Sequence, residues 1–244
     1  MILERHPPAA HFAVMIDIRP FASLGHADHG WLDARHHFSF ANYHDPARMG
    51  WGRIRVWNDD RIAAQSGFPP HPHRDMEIIT YVRTGAITHQ DSMGNKGRTA
   101  AGDVQVMSAG TGVTHAEFNL EDEDTTLFQI WIETDQRGAE PGWGAMPFPK
   151  EHREGQFQLL ASGNPDDGAL AIHADARVLG ASVEAGEAIE LAADPERHLY
   201  LVPSGRVRVN GVAAGPRDGV AITGEERLRI EADEDAELVL VDAI

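Results

Sequence analysis

The sequence predicts an all-β protein made of two tandem barrels, and three observations carry that expectation. Short β-prone runs such as Met76–Val82, Val104–Met107 and Leu127–Glu133 recur through the first half. Turn-forming clusters separate them at short intervals, among them Met93-Gly94-Asn95, Ala101-Gly102-Asp103 and Ser108-Ala109-Gly110-Thr111-Gly112. A Gly/Pro-rich stretch, Arg137–Pro149, breaks this rhythm once. After it the pattern resumes with His198–Val202, Arg206–Val209, Gly219–Thr223, Arg227–Ala232 and Glu237–Val241. Closely spaced strands of this kind argue for a sandwich or barrel rather than alternating strands and helices. The expected division is a first barrel over 1–136, a linker over 137–155 and a second barrel over 156–244. A chain of 244 residues is long enough for two such units, each burying a core.

Composition narrows the chemistry. The chain has no cysteine, which removes disulfides, thiolate nucleophiles and cysteine-held metals together. Any metal must therefore be held by His, Asp or Glu. A formal charge of −17 supplies no long-range positive field, and no basic run stands out, so nucleic acid is not an expected partner. No apolar run approaches the roughly 18 residues of a membrane span. The early stretch AAHFAVMIDI is interrupted by His11 and Asp17, which a signal peptide would tolerate poorly. The expectation is a cytoplasmic protein with no membrane partner.

Histidine is distributed unevenly, with 11 of 14 in the first 115 residues, so histidine chemistry is expected in the first half. His71-Pro72-His73 is the sharpest motif. On an extended segment, residues i and i+2 face the same way, so both imidazoles project together. The surrounding prolines favour that geometry, because residues before proline are pushed toward extended backbone. Pro72 itself fits a strand start or an edge. His115-Ala116-Glu117 repeats the spacing 42 residues later, and enough chain lies between for both pairs to converge inside one barrel. Three imidazoles and a carboxylate suit one divalent first-row metal and leave positions open for water, substrate or dioxygen. Iron, copper, manganese, cobalt, nickel and zinc can all use such ligands.

The remaining candidates have plainer readings. His36 and His37 sit among Phe38, Phe40 and Tyr43, where packing and local hydrogen bonds account for them. His26 and His29 are expected in loops or at a cavity mouth, and His89 at the surface or beside the ligands. Trp31, Trp57 and Trp131 are expected in the core or barrel wall. The second half has no paired ligands, since His173 and His198 stand alone, so its barrel is expected to carry no metal. The acidic run Glu231–Glu237 reads as a solvated turn and strand edge.

The segments FPPHPHRDMEIITYVRTGAITHQDSMGNKG and AGDVQVMSAGTGVTHAEFN resemble the pirin family. The stretch HGWLDARHHFSFANYHDP resembles the bacterial subgroup associated with quercetin 2,3-dioxygenase activity. The match runs from about Gly25 to Glu133, and LVPSGRVRVNGVAAGPRDGVAIT resembles that family's second cupin. The resemblance implies a bicupin: two tandem cupin barrels of the double-stranded β-helix, or jelly-roll, type. It implies that His71, His73, His115 and Glu117 match the ligand positions, with iron foremost among the metals. In many cupins the carboxylate ligand falls four residues after the second histidine, which here is Glu77. Glu77 shares strand parity with His71 and His73, so spacing does not exclude it, whereas pirins use the later glutamate. The implied reaction opens the central ring of a flavonol with dioxygen and releases carbon monoxide. Glu117 then serves as general base or as ligand alone. The alternative is a non-enzymatic iron-binding redox sensor that regulates a protein partner.

Overall fold

Strand alternation explains how one chain builds two closed units. The computed structural model describes residues 13–244, and His11 lies outside them. The first half forms β1 (Met15–Arg19), β2 (Gly25–Asp28), β3 (Leu32–His36), β4 (Ile54–Ile62), β5 (Ser66–His73) and β6 (Met76–Thr84). It continues with β7 (Ala86–Asp91), β8 (Lys96–Ala100), β9 (Val104–Ser108), β10 (Val113–Asn119), β11 (Thr125–Glu133) and β12 (Gly142–Met146). The second half forms β13 (Gln158–Ser162), β14 (Leu170–Ala171), β15 (Ala176–Val183), β16 (Ala188–Ala192) and β17 (His198–Pro203). It ends with β18 (Val207–Val209), β19 (Val212–Ala214), β20 (Gly219–Thr223), β21 (Arg227–Ala232) and β22 (Ala236–Ala243).

Each barrel pairs a seven-stranded sheet with a four-stranded one. The first uses the orders β12-β9-β6-β11-β4-β3-β2 and β5-β10-β7-β8. The second uses β1-β20-β17-β22-β15-β13-β14 and β16-β21-β18-β19. The central strands of each large sheet are buried on both faces. On β11, Phe128, Ile130 and Ile132 enter a core shared with Tyr200, Val202 and Val241 of the other half, while Leu127 points into its own barrel. On β17, Tyr200 and Val202 face that shared core, and Leu199 and Leu201 fill the second barrel. Burying each such side chain fully is worth about 1.5–3 kcal/mol, so the two barrels hold each other through an apolar seam.

Two pairings cut across the division expected from the sequence. Strand β1 hydrogen-bonds β20 from Met15↔Thr223 to Arg19↔Gly219, so a strand preceding the first barrel in sequence joins the second barrel's sheet. The expected linker contains β12, which pairs with β9 from Gly142↔Ser108 to Met146↔Val104 and extends the first barrel's large sheet. Its glycines disguise a strand whose alternation is nonetheless visible. Trp143 packs against the first barrel's interior and Met146 against the shared seam. Gly97 on β8 makes room for the Trp143 ring, because a Cβ there would lie 2.2 Å from its edge.

One ion-pair cluster also spans the seam. Asp59 is fully buried and pairs with Arg83 of the first barrel and Arg217 of the second. Removing the carboxylate leaves two guanidinium groups facing each other at a largely dry junction. Asp59→Ala is therefore expected to destabilise the protein by about 3 kcal/mol, the low end for breaking a buried pair, because Arg217 is partly exposed. Chemical denaturation measures this, and a loss smaller than about 1 kcal/mol would place Asp59 among weak surface pairs.

Candidate metal centre

The interiors of the two barrels differ in kind. The second is filled with aliphatic side chains such as Leu201, Val207, Leu228, Ile230 and Leu240. In the first, apolar residues form two separate groups, one around Ile62, Val82 and Leu127 and one around Ile78, Met107 and Val113. Buried Asn58, Asp60, Thr80, Gln105, Gln129, His115 and Glu117 occupy the remaining interior. Polar groups at inward positions need partners, and those partners define the site.

The pairing of β5 with β10 sets His71 directly opposite His115. Strand β5 is an edge strand, which accommodates Pro69, Pro70 and Pro72 without lost ladder bonds. The ring centroids of His71 and His115 lie 4.5 Å apart, those of His73 and His115 5.0 Å, and those of His71 and His73 4.8 Å. One nitrogen from each of the three falls within 4.8 Å of the others.

The hydrogen bonds say which nitrogens are bare. His71 Nδ1 donates to the Pro69 carbonyl at 2.8 Å, so the nitrogen bare in the neutral ring is Nε2. Asp91 accepts from the Met93 N–H, the Asn95 N–H and the Asn95 amide at 2.9, 3.0 and 2.9 Å. Burial works against that carboxylate, but the bonds from His89 and Asn95 outweigh it and hold Asp91 below its ordinary range. A charged Asp91 only accepts, so His89 Nε2, 3.0 Å away, carries a proton. His89 Nδ1 is then an acceptor for His115 Nδ1–H at 3.4 Å. His115 Nε2 is left buried with no hydrogen-bond partner. Burial, with His71 adding to it, lowers the His73 pKa to about 4. Burial and the neighbouring imidazoles lower that of His115 to about 3. Neutral imidazoles with bare nitrogens are what a divalent ion requires, so this cluster is able to bind a metal.

Glu117 follows a bulge in the β5 pairing, between His115 and Glu117. Its Oε1 accepts from Gln105 Nε2 at 2.6 Å and Thr80 Oγ1 at 3.1 Å, and its Oε2 accepts from Gln129 Nε2 at 2.7 Å. It groups within 4.8 Å with His115 and His89, and His115 is common to this set and to the His71–His73 set. Burial pushes the Glu117 carboxyl up, although nearby His89 and the bonds from Gln129 and Thr80 oppose the shift.

Glu77 lies elsewhere. Asp75 takes a left-handed conformation, φ 49°, in the turn between β5 and β6, and this resets the alternation that would align Glu77 with His71 and His73. On β6 the inward residues are Ile78, Thr80 and Val82, whereas Glu77 faces out, accepts from Ser108 and lies 4.0 Å from His173. His36 bonds Asn58 at 2.8 Å and packs on Phe40, while His37 bonds Tyr200 at 3.0 Å toward the seam. His29 lines the cavity, and His26 pairs with Asp33 at 3.4 Å. Trp57 lies in the seam, Trp131 packs beside His73 and Trp31 against Phe68. His89 is fully buried rather than at the surface, stacked on Trp143 at 5.0 Å. Its signal was present in the sequence: His89-Gln90-Asp91 is a third i, i+2 pair. A cavity of about 210 Å³ opens before the rings, walled by Phe40, Phe68, Ile78 and Trp131 and by the polar His36, Asn58 and Asp60.

This geometry makes His89 and Asp91 holders of the His115 tautomer. Replacing such a partner of a metal-binding histidine costs about 10- to 100-fold in metal affinity. His89→Phe and Asp91→Asn are each expected to weaken metal retention by that factor in chelator competition, and Glu77→Gln to leave it unchanged. Equal retention in all three would show that the His89–Asp91 pair plays no part.

Comparison with known proteins agrees with this architecture. Residues 17–132 match the family model described as Pirin, and residues 159–243 match that of the quercetinase C-terminal cupin domain. A pirin-like protein of Caulobacter vibrioides is 64% identical over 231 residues, covering 94% of this chain and 100% of the relative. The quercetin 2,3-dioxygenase of Escherichia coli is 44% identical over 230 residues, covering 93% and 98%. The crystal structure of the bacterial pirin YhhW from Escherichia coli, in complex with nickel(II), superposes with a TM-score of 0.88 at 43% identity, covering 94% of this chain and 99% of that one. With both barrels matched and relatives aligned over nearly their whole length, this chain is a bicupin and belongs to the pirin family.

Proposed function

We propose that the protein is a metal-dependent dioxygenase that opens the central ring of a flavonol such as quercetin with dioxygen and releases carbon monoxide. The observation that carries this reading is the convergence of His71, His73 and His115 on one cavity with two of their Nε2 atoms left bare. The ligand set we propose is His71, His73, His115 and Glu117, holding one divalent transition ion per chain. Nitrogen and oxygen donors without sulfur suit iron, which we place first, and equally admit copper, manganese, cobalt, nickel or zinc. The names of the relatives support the reaction class, since one is a quercetin 2,3-dioxygenase and a related structure is a nickel complex.

Such an ion supplies Lewis acidity toward an oxygen-rich chelating substrate. The chain's own groups do the rest. Gln105, Gln129 and Thr80 hold the Glu117 carboxylate in one orientation. Burial raises its basicity, which suits it to take the proton of the flavonol 3-hydroxyl. Phe40, Phe68 and Trp131 exclude water from the cavity. At about 210 Å³ the cavity is smaller than the roughly 300–1,000 Å³ that encloses a drug-sized ligand. The chelating edge of the flavonol and the ring hydroxyl next to it therefore enter, and the remainder lies across the mouth beside His29 and Ala41.

The test is oxygen uptake and carbon monoxide release with quercetin, run with each of these metals in turn. Turnover faster than free metal ions give is expected with at least one. Glu117→Gln is expected to lower kcat by roughly 10²- to 10⁴-fold, the range for a general base. A protein that binds one metal per chain tightly and degrades quercetin with none of them would refute the enzyme and favour a metal sensor acting on a protein partner.

A further inference from the structure

The cavity holds one group that the proposed chemistry leaves unused. Asp60 on β4 lines the same space as His71, His73, His115 and Glu117, beside His36 and Asn58. It is 2% exposed, and its Oδ1 has no hydrogen-bond partner among the described residues. Buried carboxyls are rarely left this way, so an unpartnered oxygen on a residue that lines a cavity calls for a reason.

Its neighbour shows the contrast. Asp59 is equally buried, points to the opposite face of β4 and is paired with Arg83 and Arg217. Those arginines are held on the seam side, away from the cavity wall that Asp60 faces. Two nearby polar atoms of the cavity are already bonded elsewhere. Asn58 Oδ1 is bonded to His36 Nδ1 at 2.8 Å, and the Gln129 amide donates to Glu117 at 2.7 Å. Burial first, then the charges of Asp59 and Glu117, push the Asp60 carboxyl well above its ordinary range, and Arg83 only partly offsets them. A neutral carboxylic acid presents an O–H donor and a carbonyl acceptor side by side. An aromatic hydroxyl presents the same two functions in return. Phe40, Phe68 and Ile78 supply apolar walls suited to a flat ring.

We propose that Asp60 is a positioning residue of this cavity, taking a ring hydroxyl of a planar polyphenol whose chelating oxygens face the histidine cluster. The identity of that ligand rests on the dioxygenase reading, whereas the role of Asp60 rests on the cavity. A buried carboxyl oxygen without a partner lowers stability, and such groups persist where binding needs them.

Two probes separate the contributions: quercetin, which carries ring hydroxyls beyond its chelating pair, and 3-hydroxyflavone, which does not. Each is titrated without oxygen into the nickel-loaded wild type and into Asp60→Leu, Asp60→Ala and Asp60→Asn. The wild type is expected to prefer quercetin. Asp60→Leu and Asp60→Ala should weaken quercetin binding about tenfold or more, the loss of one buried hydrogen-bonded contact, and leave 3-hydroxyflavone within about threefold. Asp60→Asn keeps a donor beside an acceptor and should restore most of the preference. All three should retain one metal per chain and melt no lower than the wild type. The proposal is overturned if the preference survives in Asp60→Leu and Asp60→Ala, if the wild type shows none or binds neither probe, or if Asp60→Asn loses the metal. Asp60-dependent binding without oxygen uptake would leave this assignment standing and remove the dioxygenase reading. Quercetin turnover with an indifferent Asp60→Leu would do the reverse.

Discussion

Three imidazole rings packed with centroids 4.5–5.0 Å apart cannot all carry protons. Two like charges at that spacing repel by about 3–4 kcal/mol at an effective dielectric near 20, and burial adds to the penalty. His73 and His115 are therefore held neutral, and a neutral ring needs its one N–H group placed. The His71 N–H donates to the Pro69 carbonyl, and the His115 N–H donates to His89, whose own N–H donates to Asp91. Much of the first barrel follows from this constraint. Part of its interior is polar where the second barrel's is aliphatic, and the hydrophobic contacts it forgoes there are replaced across the seam with the second barrel.

That division of labour accounts for a chain with two barrels and one candidate site. The second barrel is a dry aliphatic core that presents an apolar face to the large sheet of the first. The exchange of β1 into its sheet and the Asp59–Arg83–Arg217 cluster tie the two halves at separate points. Strands β4, β6 and β11, which carry Asn58, Asp60, Thr80 and Gln129 inward, are thus held from behind by the seam. A rigid backing of this kind keeps the polar residues at fixed distances without a packed apolar interior around them.

What the sequence disclosed and what it concealed divide along physical lines. Parity on one strand is local, so the His71–His73 pair, its extended prolines and the His115–Glu117 spacing were legible before any fold was known. Parity carried across a turn is not local. Glu77 was misaligned because Asp75, a non-glycine residue, adopts a positive φ that residue type alone does not announce. Strand β12 was hidden because its glycines read as a loop until β9 and Gly97 supply the partner strand and the space for Trp143. The role of His89 depended on a neighbour 26 residues away, and the different fates of Asp59 and Asp60 on arginines 24 and 158 residues from Asp59. Long-range partners decide charge pairing, and no short window contains them.

The central claim is that His71, His73, His115 and Glu117 hold one ion through bare imidazole nitrogens. Anomalous diffraction from crystals of the metal-loaded protein tests it directly. The account predicts one anomalous peak per chain, at about 2.0–2.2 Å from Nε2 of each of the three histidines and from a carboxylate oxygen of Glu117. A peak held by His89 in place of His71 or His73, ligation through Nδ1, or a second ion of equal occupancy in the other barrel would contradict it.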